Sequence, residues 1–157
     1  MIPPEKFILL AEDDAVVAEL VLHTFAAMSP PPYVIHVKDG VEALDFFYAR
    51  GKFSHVTPRL PSVVLLDVKM PRLDGLEVLR QIKGDPNLRA APVVMLTSSH
   101  DERDVRESYQ LGANAYVAKP VEFRKFAFVL QQLESFWLNI NHPPSMRSAP
   151  SMADYLR

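Results

Sequence analysis

Apolar residues in this chain gather in short unbroken runs, each followed by a longer stretch with helical spacing. Phe7-Ile8-Leu9-Leu10-Ala11 ends abruptly in Glu12-Asp13-Asp14. A run that short, bounded by acids, reads as a strand buried on both faces. Val16, Val17, Leu20, Val21 and Phe25 then recur at helical intervals over Ala15 to Met28, with Asp14 placed to cap the helix. Ser29-Pro30-Pro31-Pro32 stops it. Tyr33 to Val37 is β-prone, and Asp39-Gly40 leads into a helix from Val41 to about Arg50. Gly51 to Ser62 is a loop. Val63-Val64-Leu65-Leu66-Asp67 is a second buried strand ending in an acid, and Met70 to Gly75 is turn chemistry before a helix over Leu76 to Lys83. Pro92 to Thr97 is a third such run, ending in hydroxyls at Thr97, Ser98 and Ser99. A charged helix spans Asp101 to Leu111 and closes at Gly112. Ala113 to Ala118 forms a last strand before Lys119-Pro120, and Val121 to Ile140 forms a long helix.

Strand and helix thus alternate five times. Such alternation predicts an α/β fold with a parallel sheet, right-handed crossovers and helices on both faces. Function in sheets of this type sits at the carboxyl ends of the strands. Residues 1–141 read as one domain. Residues 142–157 read as a tail, flexible or interface-associated, because prolines and serines recur from Pro143 onward.

Composition narrows the function. The 157 residues are 48% hydrophobic and 23% charged, enough for one packed core. A net charge of −2 supplies no field for nucleic acid or an anionic membrane. The absence of cysteine removes disulfides, thiolate zinc sites and cysteine nucleophiles. No apolar run approaches the ~20 residues of a membrane span, and the N-terminus lacks a secretion pattern. A cytoplasmic location follows as the expectation. The five histidines are scattered without ligand spacing and receive no role.

The polar residues at the strand ends carry the chemistry. The first strand delivers Glu12 and Asp13, the third Asp67, the fourth Thr97 and the fifth Lys119. Parallel strands align these ends, so the groups should meet in one shallow cleft. Three converging carboxylates call for positive charge. Lys119 supplies one unit, and a hard divalent cation held by oxygens, Mg2+ or Mn2+, would supply the rest. Asp13 and Asp67 are the best direct ligands, with Glu12 acting through a water. An open oxygen-ligated site beside a lysine and a hydroxyl suits a phosphoryl group. A carboxylate, already ionised at neutral pH, would be the nucleophile and needs no general base.

Each element has a plainer explanation. Acids before a helix are commonly caps, an aspartate after an apolar run is often a turn residue, and Thr97 and Lys119 alone would be an ordinary strand-end hydroxyl and surface lysine. Their joint placement at the ends of the right strands favours a site.

The chain resembles the receiver domains of bacterial two-component response regulators, from Phe7 to about Ile140. The resemblance rests on Ala11-Glu12-Asp13-Asp14, the run from Leu65 to Gly75, Leu96-Thr97-Ser98-Ser99, and Ala115 to Pro120. It implies the flavodoxin-like (βα)5 fold with strand order 2-1-3-4-5. It implies that Asp67 is the phosphoacceptor for a histidine kinase, that Glu12, Asp13, Asp67 and the backbone carbonyl of Lys69 hold the metal, and that Lys119 contacts the phosphoryl group. Thr97 becomes the switch hydroxyl, Tyr116 the switch aromatic, and the bond to Pro120 is expected to be cis. Turnover is confined to Mg2+-dependent self-phosphorylation and autodephosphorylation, so the protein is not otherwise an enzyme. Lys69, two residues after the phosphoacceptor, departs from the small or polar residue often found there and bears on phosphoryl lifetime.

Ile82 to Arg89, Leu96 to Ser99 and Phe136-Trp137-Leu138 are further similar to the small regulators paired with phytochrome histidine kinases. Those lack an output domain and commonly dimerise. No basic stripe or DNA-binding module follows Ile140, so no nucleic-acid partner is expected. In the last helix Phe126, Val129, Leu130, Leu133, Trp137 and Ile140 make one core stripe. Phe128 and Leu138 fall outside it and are candidate dimer contacts, with Asp101, Arg103 and Arg106 of the preceding helix offering intersubunit ion pairs.

A flavodoxin-like cofactor binder is disfavoured, because three acids occupy its phosphate loop. An aspartyl phosphatase of the haloacid-dehalogenase type would need an acid where Lys69 stands. The remaining alternative is a receiver-like scaffold that binds partners without phosphorylation.

Overall fold

The computed structural model describes residues 1–144. The strands are β1 (Ile8–Ala11), β2 (Val34–Val37), β3 (Val63–Leu66), β4 (Val93–Thr97) and β5 (Ala115–Ala118). The helices are α1 (Ala15–Ala26), α2 (Gly40–Tyr48), α3 (Gly75–Gly84), α4 (Glu102–Gln110) and α5 (Phe123–Glu134). The sheet order is β2-β1-β3-β4-β5 and every pairing is parallel. The predicted flavodoxin-like topology is therefore observed. Part of the expected tail, from residue 145 onward, lies outside the described residues.

The unbroken apolar runs have the predicted cause. β1 sends Leu9 and Ala11 into one core layer, and Ile8 and Leu10 into the other. The first layer is completed by Phe46 and Phe47 of α2 and by Val78, Leu79 and Ile82 of α3. The second takes Val21 and Phe25 of α1 and Phe126 and Leu130 of α5. A strand covered on both sides cannot alternate polar and apolar residues.

Aspartates start four of the five helices. Asp14 accepts from the amides of Val16 and Val17, Asp39 from Glu42, Asp74 from Glu77 and Asp101 from Arg103. Each satisfies amides that the helix start leaves unpaired.

The last helix departs from the expected pattern. After Glu134 the chain continues through a π-helical segment, Ser135–Ile140. A π turn holds roughly 4.4 residues rather than 3.6, so the side-chain phase slips back by about 20° at each residue. Leu138 is carried into the core and is buried, whereas Ile140 is exposed. Both assignments made from straight helical periodicity are thus reversed. Leu138 belongs to the core and drops out of the candidate dimer face, and Ile140 leaves the core stripe. Phe128 is 60% exposed, as its phase predicts.

Candidate functional site

The hydrogen-bond ladder of the sheet runs on past the strands into the polar residues. Glu12 N–H donates to Val37 O at 3.1 Å, Asp67 N–H to Ala11 O at 3.2 Å, and Lys119 N–H to Thr97 O at 2.8 Å. The backbones of the site are therefore held as rigidly as the sheet itself. The chain passes from Ala11, buried in the core, to Glu12, Asp13 and Asp14 within one turn, which opens a cleft of about 390 Å³. Asp67, Lys69, Thr97, Ser98, Ser99 and Lys119 line the rest of it. A larger groove of about 460 Å³ runs along α1 beside Leu22, Ala26 and His36. It brings together no trio of metal-ligating groups; among the described residues only Glu12, Asp13 and Asp67 form one.

Lys119 sits between two buried carboxylates. Its ammonium donates to Glu12 Oε1 at 2.7 Å and to Asp67 Oδ2 at 2.9 Å. Glu12 is 3% exposed and Asp67 8%, whereas Asp13 is exposed. One cation thus faces three acids. Ligand oxygens from Glu12, Asp13 and Asp67 all lie within 4.8 Å of one another. Glu12 Oε2 is buried and, as a carboxylate oxygen, has no hydrogen-bond donor. Burial of such an oxygen is costly unless something positive or protic reaches it.

Titration follows from that crowding. Glu12 is raised from 4.5 to about 8, first by burial and then by its contact with Asp67, which together outweigh Lys119. When protonated, Glu12 can donate to Asp67. Burial also pushes Asp67 upward, but that hydrogen bond, Lys119 and the Thr97 hydroxyl outweigh it, and Asp67 is held below its ordinary value. Lys119 is lowered by burial and raised more strongly by the two acids, so it stays charged. The all-oxygen donor set, the surplus negative charge and the unpartnered Oε2 fit a hard divalent cation.

Sequence reasoning placed Glu12, Asp13, Asp67, Thr97, Lys69 and Lys119 around one cleft, and the structure does so. It gives Glu12 a direct bond to Lys119, beyond the outer role through water that was expected. Tyr116 is half-buried, and its hydroxyl donates to Ser99 O at 3.0 Å. The bond between Lys119 and Pro120 is trans, which corrects the expected cis proline; the cis bond among the described residues is Ser29–Pro30. Trans is the intrinsically favoured isomer, and Lys119 reaches both carboxylates from it.

Ser99 escaped the sequence reading. Its N–H donates to Thr97 Oγ1 at 3.2 Å, its hydroxyl to Asp104 Oδ2 at 2.6 Å, and its carbonyl receives Tyr116. It joins the cleft to α4 and β5. The only available signal was its place in the hydroxyl run after β4. Gly75 was read as turn chemistry only. A Cβ there would overlap the backbone carbonyl of Asp67, so α3 can start beside the site only on glycine.

Comparison with known proteins shows the family and the fold. The response regulator receiver domain family matches residues 8–131. Response regulator Rcp1 of Synechocystis sp. is 39% identical over 135 residues, covering 86% of this chain and 90% of that protein. The crystal structure of its Mn2+-bound form superposes with a TM-score of 0.82 at 38% identity, over 89% of this chain and 99% of that one. The phosphorylated cyanobacterial phytochrome response regulator RcpA gives 0.83 at 34% identity, over 90% of this chain and 100% of that one. The bacteriophytochrome response regulator RtBRR gives 0.71 at 45% identity, over 96% of this chain and 89% of that one.

Proposed function

The chain belongs to the response regulator receiver domain family, and from that premise we propose that Asp67 accepts a phosphoryl group from a histidine kinase. The observation that carries this reading is the Lys119 ammonium bridging Asp67 and Glu12, with Glu12 Oε2 left without a donor. It is a site with one positive charge too few, open to solvent on the side of Asp13.

An oxygen of Asp67 attacks phosphorus as the bond from phosphorus to the donor nitrogen breaks. The electron pair leaves on the imidazole, which takes a proton from solvent. Asp67 is ionised beforehand, so no base is needed. Lys119 neutralises charge on the phosphoryl oxygens, and the Thr97 hydroxyl and loop amides donate to them. Asp13, Asp67, the Lys69 carbonyl and, through water, Glu12 would hold Mg2+ or Mn2+, which when bound neutralises the remaining phosphoryl charge. Lys69 stands at the cleft mouth, where the hydrolytic water must enter, and its side chain bears on how long the adduct survives. No other substrate is turned over.

The readout runs through Ser99. A phosphoryl group draws the Thr97 hydroxyl away from the Ser99 amide, and the loop then re-sorts its bonds to Tyr116 and Asp104. That biases a pre-existing equilibrium of the surface formed by α4 and β5. That surface, continued onto α5, pairs with a second copy through Phe128, with Asp101, Arg103 and Arg106 at its rim. The similarity to RtBRR and RcpA supports a phytochrome-type kinase, a bacteriophytochrome, as the partner, and membership of the receiver family fits a cytoplasmic setting. No helix among the described residues is long and apolar enough to cross a membrane.

Incubation with an autophosphorylated bacteriophytochrome kinase tests the pairing. Label should leave the kinase and appear on this chain within minutes. Label that stays on the kinase, under conditions where other receivers are phosphorylated by it, contradicts the pairing.

A further inference from the structure

The turn that carries the Lys69 carbonyl is tied down from outside the site. It runs from Val68 to Asp74 and is closed at its base by Gly75 N–H donating to Val68 O at 2.7 Å. At its tip Leu73 N–H donates to Pro71 O at 2.7 Å, which makes a three-residue turn centred on Arg72. Arg72 has φ 67°, the left-handed region that glycine or asparagine adopts more easily. Three-residue turns of positive φ are rare and strained, and strain of this kind persists only where surrounding contacts enforce it.

The enforcing contacts come from the start of α2. Arg72 Nε lies 3.3 Å from Asp39 Oδ2, with the Asp39 side chain only 13% exposed. The other oxygen of Asp39 caps α2 by accepting from Glu42 N–H at 2.8 Å. One carboxylate thus grips a helix start and the turn together. Next to it, a Cβ on Gly40 would overlap the Leu73 carbonyl, so the backbones of α2 and the turn are in direct contact.

We infer that Asp39 and Arg72 are positioning residues for the divalent-cation site, setting the place of the Lys69 carbonyl by holding the strained turn against the start of α2. This rests on the proposed use of that carbonyl as a ligand. Neither side chain lines the cleft. Their effect passes through three residues of backbone.

For Arg72, electrostatics alone makes the opposite demand, so that variant separates the two causes. Loss of the Arg72 positive charge near a cation site should tighten cation binding, and loss of the Asp39 negative charge should weaken it. A positioning role weakens binding in both cases.

The experiment is calorimetric titration of the full chain with Mg2+, on wild type, Arg72→Ala, Asp39→Asn, Arg72→Lys and Asp13→Asn, with a urea midpoint for each. Asparagine retains the cap, so α2 stays formed. The expected result is an Mg2+ Kd raised about three- to fivefold in both Arg72→Ala and Asp39→Asn, the scale of a part-exposed ion pair. Arg72→Lys should lie within about twofold of wild type. Midpoints close to wild type should accompany all of these. An unchanged Kd in both variants, or shifts in opposite directions, overturns the inference while leaving the site itself intact. Wild type that binds no Mg2+, or binding that survives Asp13→Asn, overturns the metal site and this inference together.

Discussion

The Lys119 ammonium and the Glu12 carboxylate, 107 residues apart in sequence, meet at 2.7 Å beneath the cleft floor. Their contact makes Lys119 a structural counter-charge as well as the proposed phosphoryl ligand. Replacement by methionine keeps the stem and deletes the charge. Breaking one side of a buried pair costs up to 5 kcal/mol as a general scale. Here the loss should be nearer to about 3 kcal/mol, because Glu12 can take up a proton. Urea denaturation in EDTA should show that loss, and millimolar Mg2+ should recover part of it.

The raised Glu12 gives the metal-free protein an inverted acid response. Between 4.5 and about 8 the folded state holds a proton that the unfolded state has released. Stability from this group is full below 4.5 and is lost as pH rises through about 8. Asp67 has the opposite sign, since its depressed value adds stability above the ordinary carboxylate range that is lost on acidification. Denaturation midpoints in EDTA should therefore fall from pH 6 to pH 8, and Glu12→Gln should flatten that slope. Mg2+ binding at pH 7 should release a proton, visible as a buffer-dependent heat.

The π segment separates two residues that helical spacing had paired. Leu138→Ala should cost about 2–4 kcal/mol as a core truncation. Phe128→Ser should leave the midpoint within about 0.5 kcal/mol and lower self-association, read by light scattering against concentration. Equal effects of the two variants on stability would contradict the register.

Gly75 tests how closely α3 approaches Asp67, the proposed phosphoacceptor. Gly75→Ala must push the Asp67 carbonyl or the helix start aside, with an overpacking cost of about 1–3 kcal/mol. Phosphorylation should slow more than this stability loss explains, since Asp67 itself is displaced. Stopped-flow fluorescence or timed intact mass would measure it.

Much of this arrangement was legible in the residues. The two-faced strands announced themselves as unbroken apolar runs, and the acids at their ends had no reason to be there apart from caps or chemistry. Parallel pairing then required Glu12, Asp67, Thr97 and Lys119 to converge. What stayed hidden depends on tertiary packing. The π segment follows from how Leu138 fits the core, which no periodicity reveals. Ser99 matters because two of its bonds reach other elements, Asp104 of α4 and Tyr116 of β5, and Arg72 because Asp39 lies across the turn. The isomer at Pro120 was carried over from family likeness and was not dictated by the residues around it.

Asp67 is proposed to take a phosphoryl group in a cation-dependent reaction. Intact mass after incubation with acetyl phosphate measures this most directly, with and without Mg2+, on wild type and Asp67→Asn. The expected result is a gain of about 80 Da, one phosphoryl group, on wild type and only when Mg2+ accompanies acetyl phosphate. A wild type that gains nothing under rapid quenching, or an Asp67→Asn variant that gains the same mass, would contradict it.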